Sequence, residues 1–272
     1  MPRYELLAGH ERLPARPFTD PEHTLADAAV MNRMLERLRR EARAWPSCRM
    51  SVEALEHTRA GCRHWLVVPS APALSAAEDV TVVGFFGDQR PGMDHSAIYQ
   101  LEADVVARLG RYAPVGLLGY YDAEVAPGVH GNLVLFATHK VPSKWHRDLV
   151  HAKAVALTPR HYSIVRLHRG IICGALLDRG HLIIKQTRYF DFGHHPAWRG
   201  LRRFELGRGN RRSHRSAQST SPEPDVRGAV TCATDTPLGA LCGLSYAAAR
   251  QTRIRVWAAM VAAVLVSRPQ KV

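Results

Sequence analysis

SKWHRDLVHAKAVALTPRHYSIVRLHRG, Ser143 to Gly170, changes its hydrophobic period halfway, and the fold turns on how that change is read. Up to Thr158-Pro159 the pattern is helical. At about 100° per residue, Trp145, Leu149, Ala152 and Ala156 share one stripe that suits packing on a sheet. His151 lies beyond one border of that stripe, next to Asp148 and Val155, and His146 lies near the other. A border position can face a cleft. The Asp148 carboxylate can raise the pKa of His151, although such a pair on a helix surface is worth little. From Arg160 onward the period becomes two. Tyr162, Ile164, Arg166 and His168 share one face of a strand, and His161, Ser163, Val165 and Leu167 share the other. The second set turns apolar toward its end and suits a place under helices, so the first set points away from them.

Working outward, VTVVGFFG is a strand rich in β-branched and aromatic residues. HSAIYQLEADVVARLGRY is a helix with Ile98, Leu101, Val105 and Leu109 on one side. VGLLGYYDAEV and GNLVLFATH are strands around the turn APGVH. Val80 to His168 therefore runs β-α-β-β-α-β, the ferredoxin-like order, with right-handed crossovers putting both helices on one sheet face. Upstream, PFTDPEHTLADAAVMNRMLERLRREARAW reads as a helix capped by Asp20, with Leu25, Ala28, Ala29, Met31, Leu35 and Leu38 as its apolar set. CRMSVEALEH and RHWLVVPS are strands, and PSAPALSAAED is a connector. Downstream, HLIIKQTRYFDFG is a further long strand.

Shifting Trp45–Val68 forward by 68 residues lays Pro46 on Pro114, Glu56 on Glu124 and WLVV on LVLF. A duplicated half-domain follows. The expected fold is α+β: two ferredoxin-like half-units whose free sheet faces meet as an antiparallel α/β barrel with helices outside. The first unit, incomplete, covers residues 1–70, with RYELLA as a weak first strand. The second covers 79–192 with an extra strand. Residues 193–272 are a basic, poorly ordered tail with a C-terminal helix as an option.

Charge follows the same division. Arg199 to Val272 holds 12 arginines and one lysine against four acidic residues, a net +9 of the whole chain's +13. Such asymmetry can mark a nucleic-acid tail, but no aromatic residues interleave RGNRRSHRS, so binding through Arg202 to Arg215 is the disfavoured reading. The apolar run Val256–Val266 spans eleven residues, short of the ~20 that cross a bilayer. The N-terminus is charged where a signal peptide needs an apolar run. A cytoplasmic protein without membrane contact is expected. The five cysteines are scattered and suit reduced thiols rather than a zinc site. His194-His195 sits in a loop beside Gly193 and Pro196, and no metal is expected there. GFFGDQRPG lacks phosphate-loop spacing, and no Gly-x-Ser-x-Gly elbow occurs.

On element order and the SKWHRDLVHAKAV helix, residues Ser47 to Phe192 resemble the dimeric α/β-barrel superfamily of antibiotic-biosynthesis monooxygenases, haem-degrading monooxygenases and chlorite dismutase-like proteins. The resemblance implies an enclosed ligand, haem among the options, and a homodimer where a single unit stands alone. It implies that Trp145 and His151 supply two of the three residues on which the haem-degrading branch relies; VTVVGFFG carries no asparagine for the third. The expected function is small-molecule binding, with a monooxygenase-like or haem-associated oxidoreductase as its enzymatic form. His151 and His168 are the candidate proton carriers. Tyr162, Arg166 and Asp122 are the polar ligand contacts, with Asp122 a partner for Arg166, and Trp145 is a pocket wall. A non-catalytic binding or structural protein of the same fold is the alternative.

Overall fold

All eight residues of VTVVGFFG, Val80 to Gly87, are buried, which requires cover on both faces of their strand. The computed structural model, describing residues 3–44, 51–57, 63–178 and 180–204, supplies that cover from two sides. Strand β4 (Glu78–Gln89) turns Val83 and Phe85 into one apolar cluster and Val80, Val82 and Phe86 into another. Its neighbours are β6 (Val129–Phe136) and β7 (Tyr162–Ala175), both antiparallel to it. β5 (Leu117–Ala126) pairs with β6. β4 leads through α3 (Ser96–Val106) to β5. β6 leads to β7 through α4 (Ser143–His146) and α5 (Leu149–His161). Ile98 and Val105 of α3 and Val150 and Ala154 of α5 share the first cluster with Val83, Phe85, Val165 and Leu167, so these helices cover one face.

The stretch Ser143–Val155 is two helices rather than one. They break at Asp148, whose carboxylate accepts hydrogen bonds from the backbone N–H of Val150 (2.8 Å) and His151 (3.0 Å) and caps α5. Helix α5 also runs past Thr158-Pro159 to His161. PSAPALSAAED contains the short helix α2 (Ala71–Ser75), capped by Ser70.

The opposite face is covered by α1 (Pro21–Ala44), 24 residues and about 36 Å at 1.5 Å per residue. Its buried stripe is Thr24, Asp27, Met31, Met34, Leu35 and Leu38, whereas Leu25 is 70% exposed. The helix is thus rotated from the orientation that Leu25 and Ala28 suggest. Met31 lies over Gly84, where a Cβ would stand 2.6 Å from its Sδ, so the absence of a side chain lets helix and sheet approach closely.

The sheet is open. Among the described residues it has nine strands in the order β1-β9-β8-β7-β4-β6-β5-β3-β2, with β1 (Glu5–Leu7), β2 (Ser51–His57), β3 (Arg63–Val68), β8 (His181–Asp191) and β9 (Trp198–Arg203) completing it. The closed barrel is therefore corrected. The face that was to meet a second sheet carries Val80, Val82, Leu133 and Leu135 and packs against α1 instead. Strand β1 pairs in parallel with β9, at the opposite edge from β2 and β3, so residues 1–70 build no sheet of their own. The segment after 193, read as tail, begins with a strand: β9 pairs with both β8 and β1. The Arg208–Arg215 run and the C-terminal helix lie outside the described residues.

Candidate functional site

Alternation along β7 puts Arg166 and His168 on the α1 face, and α1 answers with a carboxylate. Arg166 donates from Nε to Asp27 Oδ2 at 2.7 Å and from Nη2 to Oδ1 at 3.2 Å. His168 Nε2 is 2.9 Å from the same Oδ2, and His168 Nδ1 is 2.9 Å from Thr187 Oγ1 on β8. A carboxylate only accepts, so Nε2 carries the proton in this contact. Arg166 is also 3.5 Å from Asp88. Burial works to raise the Asp27 pKa, but the hydrogen bonds and charges of His168 and Arg166 outweigh it and hold the carboxyl below its ordinary range. Burial likewise opposes the Arg166 charge, and Asp27 more than restores it. An apolar stripe anchored on Leu25, which is in fact exposed, leaves Asp27 off the buried face. Its spacing to Met31, Met34 and Leu38 was the available signal.

This array orders hydroxyl, imidazole and carboxylate as a proton relay would. It is sealed: His168 and Thr187 are 0% exposed and Arg166 and Asp27 each 6%. No substrate touches it while α1 is seated, and its present work is to hold α1 to the sheet. Beside it, Tyr189 on β8 contacts Thr24 of α1 (3.2 Å) and accepts from Arg202 (2.9 Å). Arg202, fully buried, also donates to the carbonyls of Ala8 (3.0 Å), Glu11 and Thr19 (2.6 Å).

The remaining candidates lie on the other face. Tyr162 leaves the Arg166 side because β7 bulges: Asp88 pairs with Ile164 but Gln89 with Tyr162, and the extra residue reverses the alternation. Its ring packs edge-on against Phe85 at 5.5 Å. Asp122 shares its face with Tyr120, opposite Arg166, so the expected Asp122–Arg166 pair does not form. Asp122 accepts from Asn132 Nδ2 at 3.4 Å, and both residues are fully buried. Trp145 and His151 do come together, with ring centres 5.6 Å apart. Trp145 is wedged among Tyr112 (4.9 Å), Phe136 (5.6 Å) and His151. Tyr112 donates to Asp148 at 2.5 Å, so that carboxylate serves the hydroxyl and the cap of α5. Burial, then the Asp148 bond, pushes the Tyr112 phenol up. The space beside Trp145 and His151 is about 10 Å³, room for roughly one water. Haem does not fit there. Among the described residues no three His, Cys, Asp or Glu side chains gather as metal ligands, and no helix is long and apolar enough to cross a membrane.

Of the surface grooves beside α1, two lie at its start and along its middle. One, of about 600 Å³, lies at its start, and there Arg12 is already paired with Asp20 (3.1 Å) and Glu22 (2.9 Å). The other, of about 410 Å³, runs between α1 and β5. Val30, Met34, Ala123 and Val125 form its apolar floor, and Arg33, Arg37 and Arg40 stand on the helix side. Tyr121 reaches into the same groove, where burial raises its hydroxyl pKa to about 12 against the opposing pull of Arg37. Glu36 and Glu124 stand at the rim, and Arg37 is 3.9 Å from Glu41.

Comparison with known proteins finds no matching family model, no matching curated protein and no matching solved structure.

Proposed function

We propose that the chain is a non-catalytic binding protein for small amphiphilic anions, carried in the groove between α1 and β5. The observation behind this reading is the union of an apolar floor with three arginines in about 410 Å³, a volume within the range of ligand sites. A guanidinium fork binds a carboxylate through two hydrogen bonds, and the floor takes the hydrocarbon or aromatic body. The order β7-β4-β6-β5, with α3 and α5 on one face, supports a ferredoxin-like unit at the centre of the fold. In this reading the ligand does not sit between two sheets. Helix α1 takes the place a second sheet would occupy, so the site moves to the margin of that helix and no face-to-face homodimer is needed. The sealed Asp27–His168–Thr187 array argues for binding over turnover.

The test is a calorimetric titration with medium-chain fatty acids and aryl carboxylates on the full chain, beside Arg33→Gln/Arg37→Gln. Saturable binding that the double variant weakens about tenfold or more supports the reading. Equal affinity for the matching neutral alcohols, or no loss in the variant, refutes it.

A further inference from the structure

Helix α1 crosses the sheet obliquely, and this gives the groove beside β5 two unlike ends. Near the start of the helix Asp27 meets Arg166 and His168 of β7. Further on, Met31 sits on Gly84 of β4, and near the end Leu38 stands against Gly119 of β5, where a Cβ would lie 3.2 Å from Leu38 Cδ1. The helix is therefore tight on β5 beside Gly119 and draws away from that strand toward its own N-terminus, so the space between them is a wedge. At the narrow end Arg37 donates to the Tyr121 hydroxyl, and the Arg40 charge is close enough to act on the same phenol. Arg37 is also 3.9 Å from Glu41, whereas Arg40 is exposed and makes no ion pair among the described residues. At the wide end stand Val30, about 10 Å up the helix from Arg37, and Val125, about 13 Å along β5 from Tyr121. Met34 and Ala123 lie between the two ends.

We propose that the groove holds a carboxylate in one direction, with the head group between Arg40 and the Tyr121 hydroxyl and the apolar body running over Met34 and Ala123 toward Val30 and Val125. This inference rests on the groove reading above and adds the orientation and the two residues that select the head. A phenol accepts and donates at once, so a Tyr121 hydroxyl oriented by Arg37 can donate to a carboxylate oxygen. It keeps its proton at neutral pH, because burial raises its pKa to about 12. The Arg40 fork supplies the charge-assisted bond beside it. Val30 and Val125 carry no donor, so the other end suits hydrocarbon.

Intermolecular nuclear Overhauser effects report the direction on the full-length parent protein, with isotope-labelled methyl groups and aromatic rings, saturated with decanoate. The α-methylene of the acid should lie near the Tyr121 ring and its terminal methyl near the Val125 methyls. Calorimetric titration with hexanoate and decanoate then separates the two ends. Tyr121→Phe and Arg40→Gln should each weaken both acids by the same factor, about tenfold. Val30→Ser should weaken decanoate about threefold or more and leave hexanoate nearly unchanged. The Overhauser effects use the parent chain, so they decide the direction even where a variant fails to fold. A terminal methyl at Tyr121, a larger loss in Arg33→Gln than in Arg40→Gln, or saturable binding that Tyr121→Phe leaves untouched overturns this inference and leaves the groove reading standing. Absence of saturable binding by either acid overturns both.

Discussion

Replacing Asp27 by alanine separates an architectural role for the Arg166–His168 cluster from a catalytic one. The substitution strips Arg166 of its bidentate partner and His168 Nε2 of its acceptor in a place where neither is more than 6% exposed. Breaking a buried pair by removing one partner costs about 3–5 kcal/mol. Asp88, 3.5 Å from Arg166 and partly exposed, stays behind and holds the loss toward the lower end. For a unit of this size that is a fall of about 6–20 °C in melting temperature. Urea unfolding followed by circular dichroism measures it, with an unchanged m-value showing that the transition is the same. The companion Asp27→Leu/Arg166→Met/His168→Leu replaces the whole cluster by apolar side chains and should return stability to within about 1 kcal/mol of the parent, or above it. If the single variant loses less than about 1 kcal/mol, or the triple is as unstable as the single, the cluster does not hold α1 in the way argued.

Other outcomes follow from the same contacts. Because the folded Asp27 carboxyl lies below its ordinary value of 3.8, its contribution is complete above that value and is lost as pH falls through the folded value; unfolding free energies measured down an acid series should drop less steeply in Asp27→Asn. His161 is held down to about 4, by burial first and then by His95, whose Nδ1 lies 3.1 Å from its own. Its contribution therefore falls away from the ordinary 6.5 toward 4 as acid is added, and a His161 imidazole resonance titrating near 6.5 in the folded protein would contradict this. Gly84→Ala forces a Cβ against Met31 Sδ and should cost about 1–3 kcal/mol, most of it recovered in a Met31→Ala background by double-mutant cycle.

Much of the order of elements was legible because period-two and period-3.6 patterns alternate cleanly between Val80 and His168. The faces of β7 were legible too, as Val165 and Leu167 under the helices and Arg166 and His168 away from them. A bulge hid Tyr162, since one extra residue in a ladder leaves no trace in composition. The Ser143–Val155 break was hidden because Asp148 caps α5 in a stretch whose apolar spacing barely falters. The open sheet had a visible sign. A strand buried at every position from Val80 to Gly87 cannot have one side left bare for a hollow, so the apolar run itself pointed to helices on both sides.

The pairing of β1 with β9 ties residues near the start of the sequence to a strand almost two hundred residues later: Glu5 lies beside Gly200 and Leu7 beside Arg202. During synthesis the opening residues have no ladder to join until almost two hundred more have left the ribosome, and the carbonyls of Ala8, Glu11 and Thr19 wait for the same Arg202. Contacts so distant in sequence are slow to form. This margin should be the last part of the sheet to assemble and the first to open, so a nascent chain halted before Trp198 would carry a finished centre with a loose leading end.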